Sequence, residues 1–187
     1  FSDLKDANSD VLEFLTNSLN NNGFFIVNNH PIDLALIKSA FTVAEDLFGL
    51  PYETKKQYHL PGTNGARGYT PYGIETALNE KVADQKEFWH QGSTSNESLM
   101  KNVYVDEVRS FSDLDTLYKE FENMGIEILK SFMNFDMDFN SDLGDSAKDG
   151  NSILRLIHYP ATDGQNKHRA RAHNDVCLLY TSPSPRD

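Results

Sequence analysis

Apolar residues in this chain fall into blocks of differing period. Val11, Leu12, Leu15 and Leu19 step by three and four behind Ser9, which predicts a helix capped at Ser9 and closed at Asn20-Asn21-Asn22-Gly23. Phe24 to Val27 is a run of four apolar residues, the form of a short buried strand. Helical spacing returns after Pro31 at Leu36, Ile37, Ala40, Phe41, Ala44, Leu47 and Phe48, with Gly49 as the stop, and Pro51 opens one further turn through Tyr58. Residues 61–76 hold four glycines and two prolines and predict a loop, as does 92–102. Leu114, Leu117, Phe121, Met124, Ile128 and Phe132 mark the longest amphipathic helix, and Ile153 to Tyr159 predicts a buried strand after the polar stretch 140–151.

Helices therefore occupy the first three quarters and β-like sequence comes late. The fold class expected is α+β, a helical N-terminal region packed on a sheet that begins near the end of the chain. The 187 residues carry 17 Lys+Arg and 28 Asp+Glu, a formal charge of −11, without a basic cluster. Affinity for nucleic acid or anionic lipid needs such clusters, so neither partner is expected. No apolar run reaches the length of a membrane span, and the acidic start does not resemble a signal peptide, so a cytoplasmic location is expected. Cys177 is the one cysteine, which fits a reducing compartment.

His173-Asn174-Asp175 is the sharpest chemical constellation. On a strand, residues i and i+2 project to one face, so an imidazole and a carboxylate can converge on one metal ion. That pair is two thirds of the facial triad of non-haem Fe(II) oxygenases. The triplet alone says little, because six His and 17 Asp in this length give about half of one such triplet by chance.

Four separated segments supply context. They are Gly23-Phe24-Phe25-Ile26-Val27-Asn28-Asn29-His30, then Arg67-Gly68-Tyr69-Thr70-Pro71-Tyr72-Gly73-Ile74-Glu75, then Asp84-Gln85-Lys86-Glu87-Phe88-Trp89-His90. The fourth runs from Leu154-Arg155-Leu156-Ile157-His158-Tyr159-Pro160 to Arg169-Ala170-Arg171-Ala172-His173-Asn174-Asp175. In this order they resemble the 2-oxoglutarate and Fe(II)-dependent oxygenases of the isopenicillin N synthase-like type. The resemblance implies that His173 and Asp175 are metal ligands and that Tyr159 contacts the carboxylate of the co-substrate or substrate, beside the plainer reading of a core aromatic at a strand end. It also implies that Arg67 is a substrate contact, beside the plainer reading of a solvated loop arginine. Ile157 stands where plant relatives often carry an asparagine that touches the co-substrate. The Asp84 to His90 block reads as structural, with Lys86 and Glu87 pairing within the fold and Trp89 as a packing anchor. His158 faces away from Tyr159 if the strand alternates, and His30, His59, His90 and His168 have no carboxylate at ligand spacing on a shared strand face.

The implied fold is the helical N-terminal region on an incomplete double-stranded β-helix, or jelly-roll barrel. The implied division is 1–110 for the non-haem dioxygenase N-terminal region, 111–176 for the linking helix and the start of the barrel, and 177–187 as a non-native tail. The third iron ligand and an Arg-x-Ser pair for 2-oxoglutarate are expected beyond residue 187. The implied activity is a dioxygenase coupling decarboxylation of 2-oxoglutarate to oxidation of a small-molecule substrate by dioxygen, with ascorbate as a reductant and the 187-residue piece itself inactive. An ethylene-forming or 2-oxoglutarate-independent oxidase branch, a non-catalytic interaction domain and, last, a metallohydrolase using His173 and Asp175 on zinc are the alternatives.

Overall fold

A computed structural model describes residues 1–6, 9–74, 84–95, 100–133, 143–148 and 150–161. The helices are α1 (Ser2–Asp6), α2 (Ser9–Asn22), α3 (Leu34–Gly49), α4 (Tyr52–Lys56), α5 (Asp113–Met133) and α6 (Leu143–Lys148). The strands are β1 (Gly68–Thr70), β2 (Glu87–Gly92) and β3 (Ile153–His158), with a 3-10 turn at Pro61–Thr63. The fold is α+β, with one antiparallel sheet in the order β1-β2-β3.

Two compact units share the chain: Phe1–Asp33 with Lys119–Gly150, and Leu34–Tyr118 with the described residues from Asn151. In the first, Leu15 of α2 is buried with Leu4 and Ile128, and Val11, Leu12, Met124 and Phe132 pack around them. The helix α2 ends at Gly23, whose N–H reaches the Leu19 carbonyl at 3.0 Å. The expected strand at Phe24 to Val27 is corrected. These residues lie in no ladder among the described residues, and Phe24 and Ile26 are 58% and 72% exposed. Phe25 and Val27 pack inward instead, Phe25 edge-to-face on Phe132 at 6.0 Å. Alternation is present, and pairing is not.

In the second unit Ala40, Val43 and Leu47 form the buried stripe of α3, whereas Phe41, expected on that stripe, is exposed. Leu114, Leu117 and Tyr118 at the start of α5 are buried, and Ser39 of α3 donates to Asp113 at 2.5 Å. The stretch 61–76, expected to lack regular structure, contributes the 3-10 turn and β1. β2 is buried along its whole length, and Trp89 meets Phe111 edge-to-face at 5.0 Å. Among the described residues no helix is long and apolar enough to cross a membrane.

Candidate functional site

Register divides the sheet into two chemically distinct faces. Trp89 pairs with Tyr69 and Leu156, and His90 pairs with Gly68 and Arg155, so odd-numbered residues of β2 share a face with even-numbered residues of β3. On that first face Glu87 is the centre of a buried cluster. Lys55 of α4 places its Nζ 2.9 and 3.1 Å from the two Glu87 carboxylate oxygens. Tyr69 Oη–H donates to the same carboxylate, and His158 Nδ1 donates at 2.7 Å while its ring stacks on Phe48.

Burial alone would raise the Glu87 pKa. Hydrogen bonds from Tyr69, Lys55 and His158 outweigh it and hold the carboxyl below its usual range. Burial first, and then the bond to Glu87, push the Tyr69 phenol well up. Lys55 closes its shell on the Phe48 carbonyl at 3.0 Å. Every polar atom of the Glu87 carboxylate is satisfied, so the cluster holds α4, β1, β2 and the end of β3 together. Lys86, the neighbour of Glu87, pairs with Asp84 at 3.1 Å. His158 does face away from the other side of the strand, as alternation requires.

The opposite face carries Thr70, Phe88, His90, Ile153 and Arg155 around an open cavity, which the 59–66 segment walls on one side. Arg155 lies 4.7 Å over the Phe88 ring, and its Nε donates to His90 Nε2 at 2.6 Å. His90 was expected to have no ligand role, and its place in the fold is to orient Arg155. Cross-strand pairing, which the sequence spacing of 65 residues does not reveal, makes that contact.

Arg67 is not a solvated loop arginine. It is 2% exposed, donates through Nη1 to the Ala66 carbonyl at 2.7 Å and through Nη2 to Asn151 at 3.0 Å, and burial lowers its pKa. Its guanidinium fills the space beside Gly92, where any Cβ would overlap it. Arg67 Nε is buried without a hydrogen-bond partner. Tyr159 follows directly on β3 and is half-buried. His173 and Asp175 lie outside the described residues, as does the tail 177–187. Among the described residues no group of three or more His, Cys, Asp or Glu could hold a metal ion.

Comparison with known proteins bears directly on these elements. Residues 1–109 match the family model described as the N-terminal region of the non-haem dioxygenase in morphine synthesis. Homoarginine-6-hydroxylase 2-ODD-233 of Oryza sativa is 25% identical over 189 residues, covering 90% of this chain and 56% of the relative. The 2-oxoglutarate-dependent dioxygenase frbA of a Dothideomycetidae species is 26% identical over 181 residues, covering 84% and 53%. Among solved structures, a Caulobacter crescentus protein assigned to the 2OG-Fe(II) oxygenase family superposes with a TM-score of 0.70 at 33% identity, over 94% of this chain and 58% of the other. A full-length Neurospora crassa protein solved in complex with alpha-KG shares the fold, with a TM-score of 0.72 at 23% identity over 94% and 59%. The chain thus spans about half the length of the relatives it matches. With its N-terminal region matched over 109 residues and its helices and sheet superposing on these oxygenases, the chain belongs to the 2-oxoglutarate/Fe(II)-dependent oxygenase family.

Proposed function

We propose that the chain is part of a dioxygenase that couples decarboxylation of 2-oxoglutarate to oxidation of a small-molecule substrate by dioxygen. The observation that carries this reading is one of order. A matched non-haem dioxygenase region is followed by β3, which runs into Tyr159-Pro160 and then the His173-Asn174-Asp175 triplet. The three-stranded antiparallel sheet would be the first portion of a jelly-roll barrel.

Imidazole and carboxylate suit Fe(II), so His173 and Asp175 would hold the metal, and iron with 2-oxoglutarate supplies the oxidising chemistry. The described residues offer no competing metal cluster. Tyr159 continues the Arg155 and Ile157 alternation of β3, which favours a phenol directed to the cavity side as a donor to a carboxylate. For Arg67 a substrate contact would draw on the N–H groups left after Nη1 bonds to Ala66 and Nη2 to Asn151, the buried Nε–H among them.

The test is succinate release from 2-oxoglutarate by the full-length protein with Fe(II), ascorbate and oxygen. Release that disappears in His173→Ala and Asp175→Ala is the expected result. No release from the intact protein, or release unchanged in both variants, would sink the reading. The 187-residue chain alone is expected to release none, because two ligands bind iron weakly without a third.

A further inference from the structure

Among the described residues that line the cavity on the Phe88 face are two histidines, and they use their ring nitrogens differently. His90 engages both, one toward the Gly65 carbonyl and one toward Arg155. His59 engages one. Its Nδ1 lies 2.9 Å from the Tyr69 carbonyl oxygen. A carbonyl can only accept, so Nδ1 carries the proton, and a neutral imidazole then has a bare lone pair on Nε2. That Nε2 has no partner among the described residues, and it is not one of their buried unpaired atoms. It is an acceptor open to a molecule in the cavity.

The ring is anchored from two sides. The His59 backbone N–H donates to the Lys56 carbonyl at 3.1 Å, and His59 bridges Gly68, the first residue of β1. Tyr69, whose carbonyl holds Nδ1, is the next residue of that strand. The space beside the ring is about 460 Å³, in the range of small-molecule sites. Pro61, Ile74, Phe88 and Ile153 give it apolar walls, and Ile74 and Ile153 are still 54% and 39% exposed. No aspartate or glutamate is among the described lining residues. An ammonium donor brought out of water there would meet no carboxylate, whereas a hydroxyl loses far less on leaving water.

We propose that His59 is a specificity-determining residue whose Nε2 accepts from a hydroxyl group on an uncharged ligand of this cavity. The apolar part of that ligand rests against Phe88, Ile74 and Ile153. Because the tautomer is set by the Tyr69 carbonyl before any ligand arrives, the acceptor is prepared in advance and little order is lost on binding. The proposal rests on the oxygenase reading, which makes the bound molecule the substrate. It adds that molecule's class: a neutral compound that joins a hydroxyl to an apolar body.

Benzyl alcohol and benzyl methyl ether are the probes, titrated by ligand-observed NMR into the full-length protein. The ether replaces the hydroxyl proton by a methyl group, so apolar burial alone favours it. The alcohol should nonetheless bind more tightly, by at least about threefold. His59→Asn keeps a side-chain N–H for the Tyr69 carbonyl and deletes the open nitrogen, so it should erase or reverse that preference. His59→Phe should do the same and carries the comparison if His59→Asn does not fold, with thermal melts by circular dichroism identifying folded variants. Long-range nitrogen-15 spectra of the histidine rings give a second readout that needs no variant to bind ligand. The ring signal missing from His59→Asn should show, in its neutral form, a protonated Nδ1 and a bare Nε2, and benzyl alcohol should shift that Nε2. A neutral His59 protonated on Nε2, binding of neither probe, an ether that binds as well as the alcohol, or a preference retained in the folded variants would overturn the proposal. Succinate release is read separately: turnover without an alcohol preference removes this site alone, and an alcohol preference without turnover removes the oxygenase reading alone.

Discussion

Lys55 and Glu87 stand 32 positions apart in the sequence and meet as a buried ion pair, with Nζ 2.9 Å from Oε2. Removing one member strands the other in a dry site, which costs about 3–5 kcal/mol. Lys55→Met is therefore expected to lower the urea-unfolding free energy by that amount. The double variant Lys55→Met/Glu87→Gln should recover a good part of the loss, because the amide oxygen can accept from His158 while the amide N–H donates to the Tyr69 hydroxyl oxygen. A Lys55→Met protein as stable as the parent would show that the pair contributes no net stability.

Acid should expose the same cluster. The Glu87 carboxyl is held below its unfolded-state pKa, so its contribution is present above about pH 4 and is lost as pH falls through the lower folded value. Glu87→Gln, which has no proton to gain, should flatten the acid limb of a plot of unfolding free energy against pH. An acid limb of unchanged slope would count against this assignment.

Alkali should act at Tyr58, whose Oη–H donates to Glu107 Oε2 at 2.6 Å. The hydrogen bond to Glu107, with burial and the carboxylate charge behind it, raises the phenol to about 12. A raised folded pKa means that the stabilisation is complete below about pH 10 and is lost as pH climbs to the folded value. Tyrosinate absorbance should contain a late component that Tyr58→Phe removes and Glu107→Gln brings to lower pH. If neither substitution alters the late titration, it belongs to another tyrosine.

Gly68 opens β1 at φ +75°, and a Cβ there would stand 2.5 Å from the Tyr58 carbonyl oxygen. That oxygen accepts from the Tyr69 N–H at 3.0 Å and has no room to withdraw. Gly68→Ala combines left-handed strain with a backbone clash, so a loss of at least about 2 kcal/mol is expected. Chemical denaturation measures it directly, and a loss under half that size would mean that the 58–70 segment can rearrange.

Long periodic helices were legible without coordinates. α3 and α5 fall where the three-and-four spacing of apolar residues places them, because a stripe repeated over several turns has few other interpretations. β2 was not legible as a strand. Glu87-Phe88-Trp89-His90-Gln91-Gly92 is buried on both faces with polar groups on each, so it shows neither an apolar run nor a polar-apolar alternation. β1 lay hidden in a glycine-rich segment for a similar reason. Lys55 gave no local sign of burial, since its partner is contributed by tertiary pairing. The sequence offered Arg67 as a substrate contact or a solvated loop arginine, and its burial against Asn151 and Gly92 was not legible, because the contact with Asn151 crosses 84 residues. The His173 and Asp175 pair rests on its spacing and on the resemblance of its sequence neighbours, and it lies outside the described residues.

Pairing of β2 with β3 also has a consequence for how the molecule could fail. A strand has a period of two, so sliding β3 by one residue against β2 would turn Arg155 toward the Trp89 side and carry His158 away from Glu87. Such a slip need not unfold anything; it would leave a sheet of similar hydrogen bonding in which the two faces of β3 are exchanged. The salt-bridged cluster at one end of the sheet therefore acts as an alignment pin for the cavity on the other side. Damage to Glu87 could silence that cavity in a protein that still melts cooperatively.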